Sequence, residues 1–145
     1  MEPFLPQTTA KSLVMKRILA SLAAIAIAVS PALASAKSPL EGHWKHGPMV
    51  IQIAPCGSKL CGTVVKASPS QQRKAKDGSG TELIGARLIT DIEPTGPGTY
   101  KGRVFAADRN IYANGTVREI SHDRLEVKGC VLLVICKSRT YERVR

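Results

Sequence analysis

The stretch DRLEVK, residues 123–128, decides the fold class of this chain. Its apolar and polar side chains alternate, so Leu125 and Val127 share one face of an extended segment and Arg124, Glu126 and Lys128 share the other. A period of two is typical of an antiparallel strand that is packed on one face and hydrated on the other. The stretch therefore predicts a β-sheet protein with one wet face.

Further short strands precede and follow this stretch, separated by turn residues, and no long segment has helical periodicity. A breaker cluster lies at residues 93–98, and Asn114-Gly115 predicts a tight hairpin, because both residues tolerate positive φ. The predicted strands are one around Trp44 and those at residues 49–54, 60–66, 87–92, 99–106, 111–113, 116–118, 123–128 and 138–144. About eight sequential strands predict an all-β, small up-and-down barrel, with a two-sheet β-sandwich as the alternative.

The chain has an even number of cysteines, which predicts two disulfides in an oxidising compartment. They are Cys56, Cys61, Cys130 and Cys136. We expect the local pairs, Cys56 with Cys61 and Cys130 with Cys136, because each pair meets as soon as its hairpin forms. A long bridge such as Cys56 to Cys136 would stabilise the fold more in the chain-entropy model and stays open. The Cys-x2-Cys spacing of zinc sites is absent, so we predict neither metal nor cofactor.

Residues 15–36 predict a cleavable secretory signal peptide, with a basic start, an apolar run and cleavage after Ala34 or Ala36. Because the signal begins at Met15, we interpret residues 1–14 as a misplaced start. The apolar run of about a dozen residues is shorter than the roughly 20 needed to span a bilayer. We therefore expect a single periplasmic or secreted domain at residues 37–145, with no transmembrane segment after cleavage.

The chain carries a net charge of +10 at pH 7. An exported protein meets anionic envelope components rather than nucleic acid, although charge also serves solubility. Residues 67–82 are expected to form a mobile basic loop containing Arg73, Lys74 and Lys76, the first candidate binding surface.

The second candidate surface is an apolar segment between two cysteines, where a polar turn is usual. Its members are Val131, Leu132, Leu133, Val134 and Ile135. The simpler expectation is that it folds over the barrel mouth or continues a buried strand. The alternative is an apolar tip beside Lys128, Lys137 and Arg139 that contacts a membrane or a partner.

Five blocks carry a resemblance to a known family. They are GHW (42–44), CGSKLCG (56–62), LIG (83–85), GC (129–130) and CKSRTYER (136–143). They resemble the secreted bacterial family called domain of unknown function 2147, and the resemblance covers nearly all of residues 37–145. It implies a periplasmic or secreted protein of a Gram-negative bacterium, without a settled activity.

A shorter pattern is similar to lipocalin-like barrels, in which a Gly-x-Trp on the first strand is covered by an Arg from the last. Gly42, Trp44 and Arg143 match these parts, so we interpret them as structural residues. A guanidinium over an indole is a cation–π contact worth roughly 0.5 to 2 kcal/mol.

The sequence contains no Gly-x-Ser-x-Gly elbow, phosphate-binding glycine loop or His-Glu-x-x-His motif. We predict no enzyme, a hydrolase being the least implausible one, and no catalytic residue. The leading hypothesis is an exported binding module for an anionic envelope component or a periplasmic protein. The alternative is a small apolar ligand inside the barrel, although a lumen filled by Val, Ile and Leu is expected. The oligomeric state stays open.

Overall fold

The computed structural model describes residues 36–145, and antiparallel strands make up most of that range. The strands are β1 (Gly42–His46), β2 (Met49–Cys56), β3 (Lys59–Lys66), β4 (Arg87–Gly96), β5 (Thr99–Ala106), β6 (Ile111–Ser121), β7 (Arg124–Val131) and β8 (Ile135–Arg143). Each strand pairs with the next and β8 pairs with β1, which closes the barrel. The predicted lipocalin-like, up-and-down barrel is confirmed, and the sandwich alternative is wrong.

Side-chain burial along β7 alternates in the same way as the apolar and polar residues that predicted this strand. Leu125 is fully buried and Val127 nearly so, whereas Arg124 and Lys128 are exposed. The other strands contribute inward side chains in the same way, and the core includes Trp44, Ile51, Ile53, Val64, Ile89, Ile92 and Val117. Burial of these side chains, at about 25 cal/mol per Å² of apolar surface, is the main stabilising term of the barrel.

The predicted hairpin at Asn114-Gly115 is wrong, because β6 runs without interruption from Ile111 to Ser121. Gly115 pairs with Gly102 on β5 and with Gly129 on β7. A Cβ on Gly115 would lie 2.5 Å from Cγ2 of Val104. Glycine at this position therefore allows the Val104 side chain to approach the β6 backbone closely, and it does not form a turn.

The predicted mobile loop at residues 67–82 is also wrong, since it contains helix α1 (Pro69–Ser79). Ser68 accepts a hydrogen bond from the Gln71 backbone, and the Gln71 side chain accepts one from the Ser68 backbone, which forms a capping box. Pro69 stands at the first turn, and Gly80 ends the helix in the left-handed conformation with φ of 71°. Local capping therefore explains a helix in a segment that has few apolar residues.

The strand that enters the breaker cluster at residues 93–98 ends later than predicted. β4 continues through Pro94 to Gly96, with register shifts in its pairing to β5, and the turn is made at Pro97 and Gly98.

The disulfides follow the predicted local pairing, Cys56 with Cys61 and Cys130 with Cys136. Each one joins the two strands of a hairpin near its turn.

One end of the barrel is closed by residues that precede β1. Leu40 and Trp44 are fully buried there, and the Trp44 indole donates a hydrogen bond to the Leu40 carbonyl at 2.8 Å. The Arg143 guanidinium lies 4.1 Å from the Trp44 ring and donates to the carbonyls of Pro39, Glu41 and His122. A Cβ on Gly42 would lie 2.9 Å from Arg143 Nη1, so this glycine makes room for the guanidinium.

The predicted signal peptide and the residues before it lie outside the described residues. No helix within residues 36–145 is long and apolar enough to cross a membrane.

Candidate functional site

A cavity of about 630 Å³ opens at the end of the barrel opposite Trp44. It extends to buried side chains, among them Ile89, Val127 and Tyr141. The expectation that Val, Ile and Leu fill the lumen is therefore wrong at this end. The reason is the small size of the inward residues here, because Ala113 and Gly129 line the cavity where larger side chains would close it.

Alternating strand residues form the apolar wall of this cavity. Inward positions of β4 to β8 contribute Ile89, Val104, Ala113, Val127 and Tyr141, while Met49, Leu83, Leu88 and Phe105 extend the wall. A mostly apolar, concave wall of this volume falls in the range of about 300 to 1,000 Å³ typical of small-molecule sites.

Helix α1 lies along one side of the opening. Its Ala75 is buried and lines the cavity, as does Lys74 from the same turn. Gly78 approaches the turn between β5 and β6 so closely that a Cβ there would overlap the Asp108 carbonyl. The helix is thus seated on the barrel rim by a contact that requires glycine.

Basic side chains surround the opening. Lys74, Arg109, Lys137 and Arg139 line the cavity together with a single carboxylate, Asp108. Asp108 lies 3.7 Å from Arg109, so the two charges largely offset each other. The rim therefore keeps a positive surplus that favours an anionic group at the opening.

The inner face of β8 changes character along its length. Tyr141 is buried deep in the barrel, Arg139 and Lys137 follow toward the opening, and Ile135 stands at the end. Burial raises the pKa of the Tyr141 hydroxyl, with a smaller opposing effect from Arg139, so this phenol stays neutral. The same strand thus offers an apolar depth and a cationic rim.

His46 connects β1 to β8 at the end of the backbone pairing between these two strands. Its Nδ1 lies 2.8 Å from the Thr140 carbonyl, which can only accept, so Nδ1 carries the proton. Its Nε2 then accepts from Arg139 Nη1 at 3.2 Å. This pair of bonds holds the Arg139 side chain at the rim.

A second depression, of about 480 Å³, lies at the closed end beside Arg143. Its two carboxylates are both engaged by cations, since Lys45 pairs with Glu142 and Arg145 with Asp123. The Arg145 hydrogen bond lowers the pKa of the Asp123 carboxyl. We therefore assign the candidate site to the apolar cavity at the open end.

The sequence-predicted site residues separate into three groups. Lys74, Val131 and Ile135 line the cavity. Arg73 and Lys76 lie exposed on α1, and Lys76 pairs with Glu82. Leu132, Leu133 and Val134 are exposed beyond the rim, so the expectation that they cover the mouth or continue a buried strand is wrong.

Sequence reasoning missed the rim residues Arg109, Lys137 and Arg139 as site residues. One signal was available, because Ile135, Lys137, Arg139 and Tyr141 alternate onto one face of a strand. Among residues 36–145 no group of His, Cys, Asp and Glu is arranged to hold a metal, and no charged side chain is buried. The arrangement as described suits the retention of a molecule with an apolar body.

A closed eight-stranded barrel with one sealed end, one open cavity and an Arg over a Gly-x-Trp defines a lipocalin-like protein. Residues 42–143 match the family described as "Uncharacterized protein conserved in bacteria (DUF2147)", and the chain belongs to that family. Protein HP1028 of the human pathogen Helicobacter pylori, described as belonging to the lipocalin family, has a similar structure, with a TM-score of 0.56 and 16% identity over 73% of this chain and 83% of that one. No curated protein matches the chain.

Proposed function

We propose that this chain is an exported, non-enzymatic protein that holds a small amphipathic anion in its barrel cavity. The observation that carries the proposal is the apolar cavity of about 630 Å³ beneath a cationic rim. An apolar tail would lie against Val104 and Val127, and an acidic head would reach Lys137 and Arg139. This ligand hypothesis, secondary in the sequence interpretation, now has the stronger support.

Export is part of the proposal. Two disulfides favour a periplasmic or extracellular location, and residues 15–36 have the pattern of a signal peptide. N-terminal sequencing of the exported protein tests this, with a start at Lys37 or Ser35 expected and retention of residues 15–34 as the contrary result.

A displacement assay tests the ligand class. The probe is an anilinonaphthalene sulfonate dye, displaced by a long-chain fatty acid or by the alcohol of the same chain length. Ala113→Phe fills the cavity from β6 and should weaken binding of both competitors by about tenfold or more. Thr116→Phe places the same ring on the exposed face of β6 and is the matched control.

The rim cations are tested in the same assay. Lys137→Gln with Arg139→Gln should weaken the fatty acid by about tenfold and leave the alcohol nearly unchanged, since charge-assisted bonds are lost only by the acid. Equal binding of the dye to the Ala113→Phe variant and to the parent protein contradicts the proposed site. Equal loss for acid and alcohol contradicts the role of the rim.

A further inference from the structure

The hairpin between β7 and β8 ends in an apolar turn that projects into solvent. Leu132, Leu133 and Val134 are 81%, 84% and 81% exposed, and Ile135 is 68% exposed. The other large apolar side chains exposed among the described residues reach at most 60%. We call residues 132–135 the β7–β8 tip.

The tip is costly to the isolated domain. Leu132 and Leu133 have φ values of 53° and 64°, in the left-handed region that Gly or Asn occupies in tight hairpin turns. Their side chains gain almost no packing in return. The folding of the barrel therefore does not account for leucine at these two positions.

The structure also holds the tip in its exposed position. Val131 pairs with Ile135 directly below the turn, and the Cys130–Cys136 disulfide joins the strands one residue further down. Because this neck is crosslinked, the two strands that carry the tip cannot separate. The tip is presented as a small preformed apolar surface.

We propose that the β7–β8 tip inserts into an anionic lipid surface. Lys137 lies two residues from Ile135 and Lys128 three residues from Val131 on the same hairpin, and both are exposed, so they would attract the lipid phosphates. The tip has four residues, whereas each partner of a typical stable protein interface contributes about 20 to 30 residues and about 800 Å². A bilayer interface accepts such a tip without a matching surface and adds attraction to the cations.

This docking goes beyond ligand retention and does not require an occupied cavity. It would also orient the barrel, since Val131 and Ile135 belong to both the tip region and the cavity wall. The open end would then lie against the bilayer, so a cavity ligand could enter from lipid. That last step rests on the proposed function, whereas the docking does not.

The test is cosedimentation of the protein with lipid vesicles, after expression, export and oxidation in a bacterial host. One set contains phosphatidylglycerol and phosphatidylcholine in equal amounts, and the other contains phosphatidylcholine alone. We expect binding to the anionic set and release at roughly 0.5 M salt, where the Debye length is about 4 Å. Lys128→Gln, which alters no cavity residue, should weaken binding severalfold.

The decisive variant is Leu132→Asn with Leu133→Gly. It supplies the residues that this turn prefers, so the thermal midpoint should hold or rise, while vesicle binding should fall by about tenfold or more. Ile120→Ser with Val144→Ser removes two exposed apolar side chains at the closed end and should bind like the parent protein.

Several results would overturn the docking proposal. Unchanged vesicle binding by the tip variant, or equal binding of the parent protein to neutral and anionic vesicles, contradicts it. A lower thermal midpoint of the tip variant would assign these leucines a structural role instead. A dimer that the tip variant abolishes, without vesicle binding by the parent protein, would identify a second copy as the occupant. Leu132 and Leu133 do not line the cavity, so we expect the tip variant to bind the dye like the parent protein, which separates this test from that of the proposed function.

Discussion

Arg143 makes the largest set of contacts of any single side chain described at the closed end. Its guanidinium lies over Trp44 and donates hydrogen bonds to the carbonyls of Pro39, Glu41 and His122, at 2.7 to 3.1 Å. These groups come from the segment before β1 and from the turn before β7. One residue of β8 thus ties that strand to two other parts of the chain.

Replacing this residue tests its structural role. Arg143→Ala removes three hydrogen bonds and a cation–π contact and should lower the free energy of unfolding by about 3 kcal/mol. Denaturant unfolding measures the loss. Arg145→Ala is the control, because Arg145 makes an exposed ion pair with Asp123 and should change stability by about 0.5 kcal/mol or less. Equal effects of the two variants would contradict the role given to Arg143.

Single residues also show where local sequence signals succeed. The alternation of Leu125 and Val127 predicted their burial, because it repeats with the period of the strand itself. The hairpin predicted at Asn114-Gly115 is wrong, because the turn preference of these two residues is weaker than the strand pairing with β5 and β7 on both sides. For Gly115, only the closed sheet reveals the nearby Val104 side chain that excludes a Cβ.

At the scale of elements, α1 (Pro69–Ser79) is the helix that gives the open end its shape. Sequence reasoning missed it because its apolar face is small, with Ala75 as its buried residue. The capping pattern at Ser68, Pro69 and Gln71, followed by Gly80, was the available signal. Its seat on the barrel was not predictable, because it depends on the distant Asp108 carbonyl.

Gly78→Ala distinguishes a seated helix from a free one. In an isolated helix, alanine is about 1 kcal/mol more favourable than glycine, so a helix free of the barrel would be stabilised. Because a Cβ here overlaps the Asp108 carbonyl, we expect a destabilisation of about 1 to 3 kcal/mol instead. Thermal unfolding shows whether Gly78→Ala raises or lowers the stability. Asp77→Ala, at the exposed neighbouring residue, is the control for helix propensity. A higher thermal midpoint for Gly78→Ala would contradict the seat.

At the scale of the whole molecule, the barrel has two unlike ends. One end is sealed by Trp44, Leu40 and Arg143, and the other holds an apolar cavity with a cationic rim. The sequence predicted the contact of Arg143 with Trp44 at this end, because Gly42, Trp44 and Arg143 match a short motif. It did not predict the cavity, because the space left inside a barrel depends on how all eight strands close around it.

The ends also differ in what they present to the surroundings. The β7–β8 tip projects at the open end, beside the cavity, whereas the closed end carries the ion pairs of Lys45 with Glu142 and of Arg145 with Asp123. The two proposed activities, apolar capture and surface docking, therefore belong to the same side of the molecule. Both proposals therefore concern the open end of the barrel, and their experiments remain independent of each other.

Native mass spectrometry of the protein purified from its native bacterium tests ligand retention most directly. The account predicts an additional bound mass of a small acidic amphiphile, recovered by solvent extraction and absent from the Ala113→Phe variant. A consistently bare protein, or a bound mass that persists in that variant, would contradict the assignment of the cavity as the binding site.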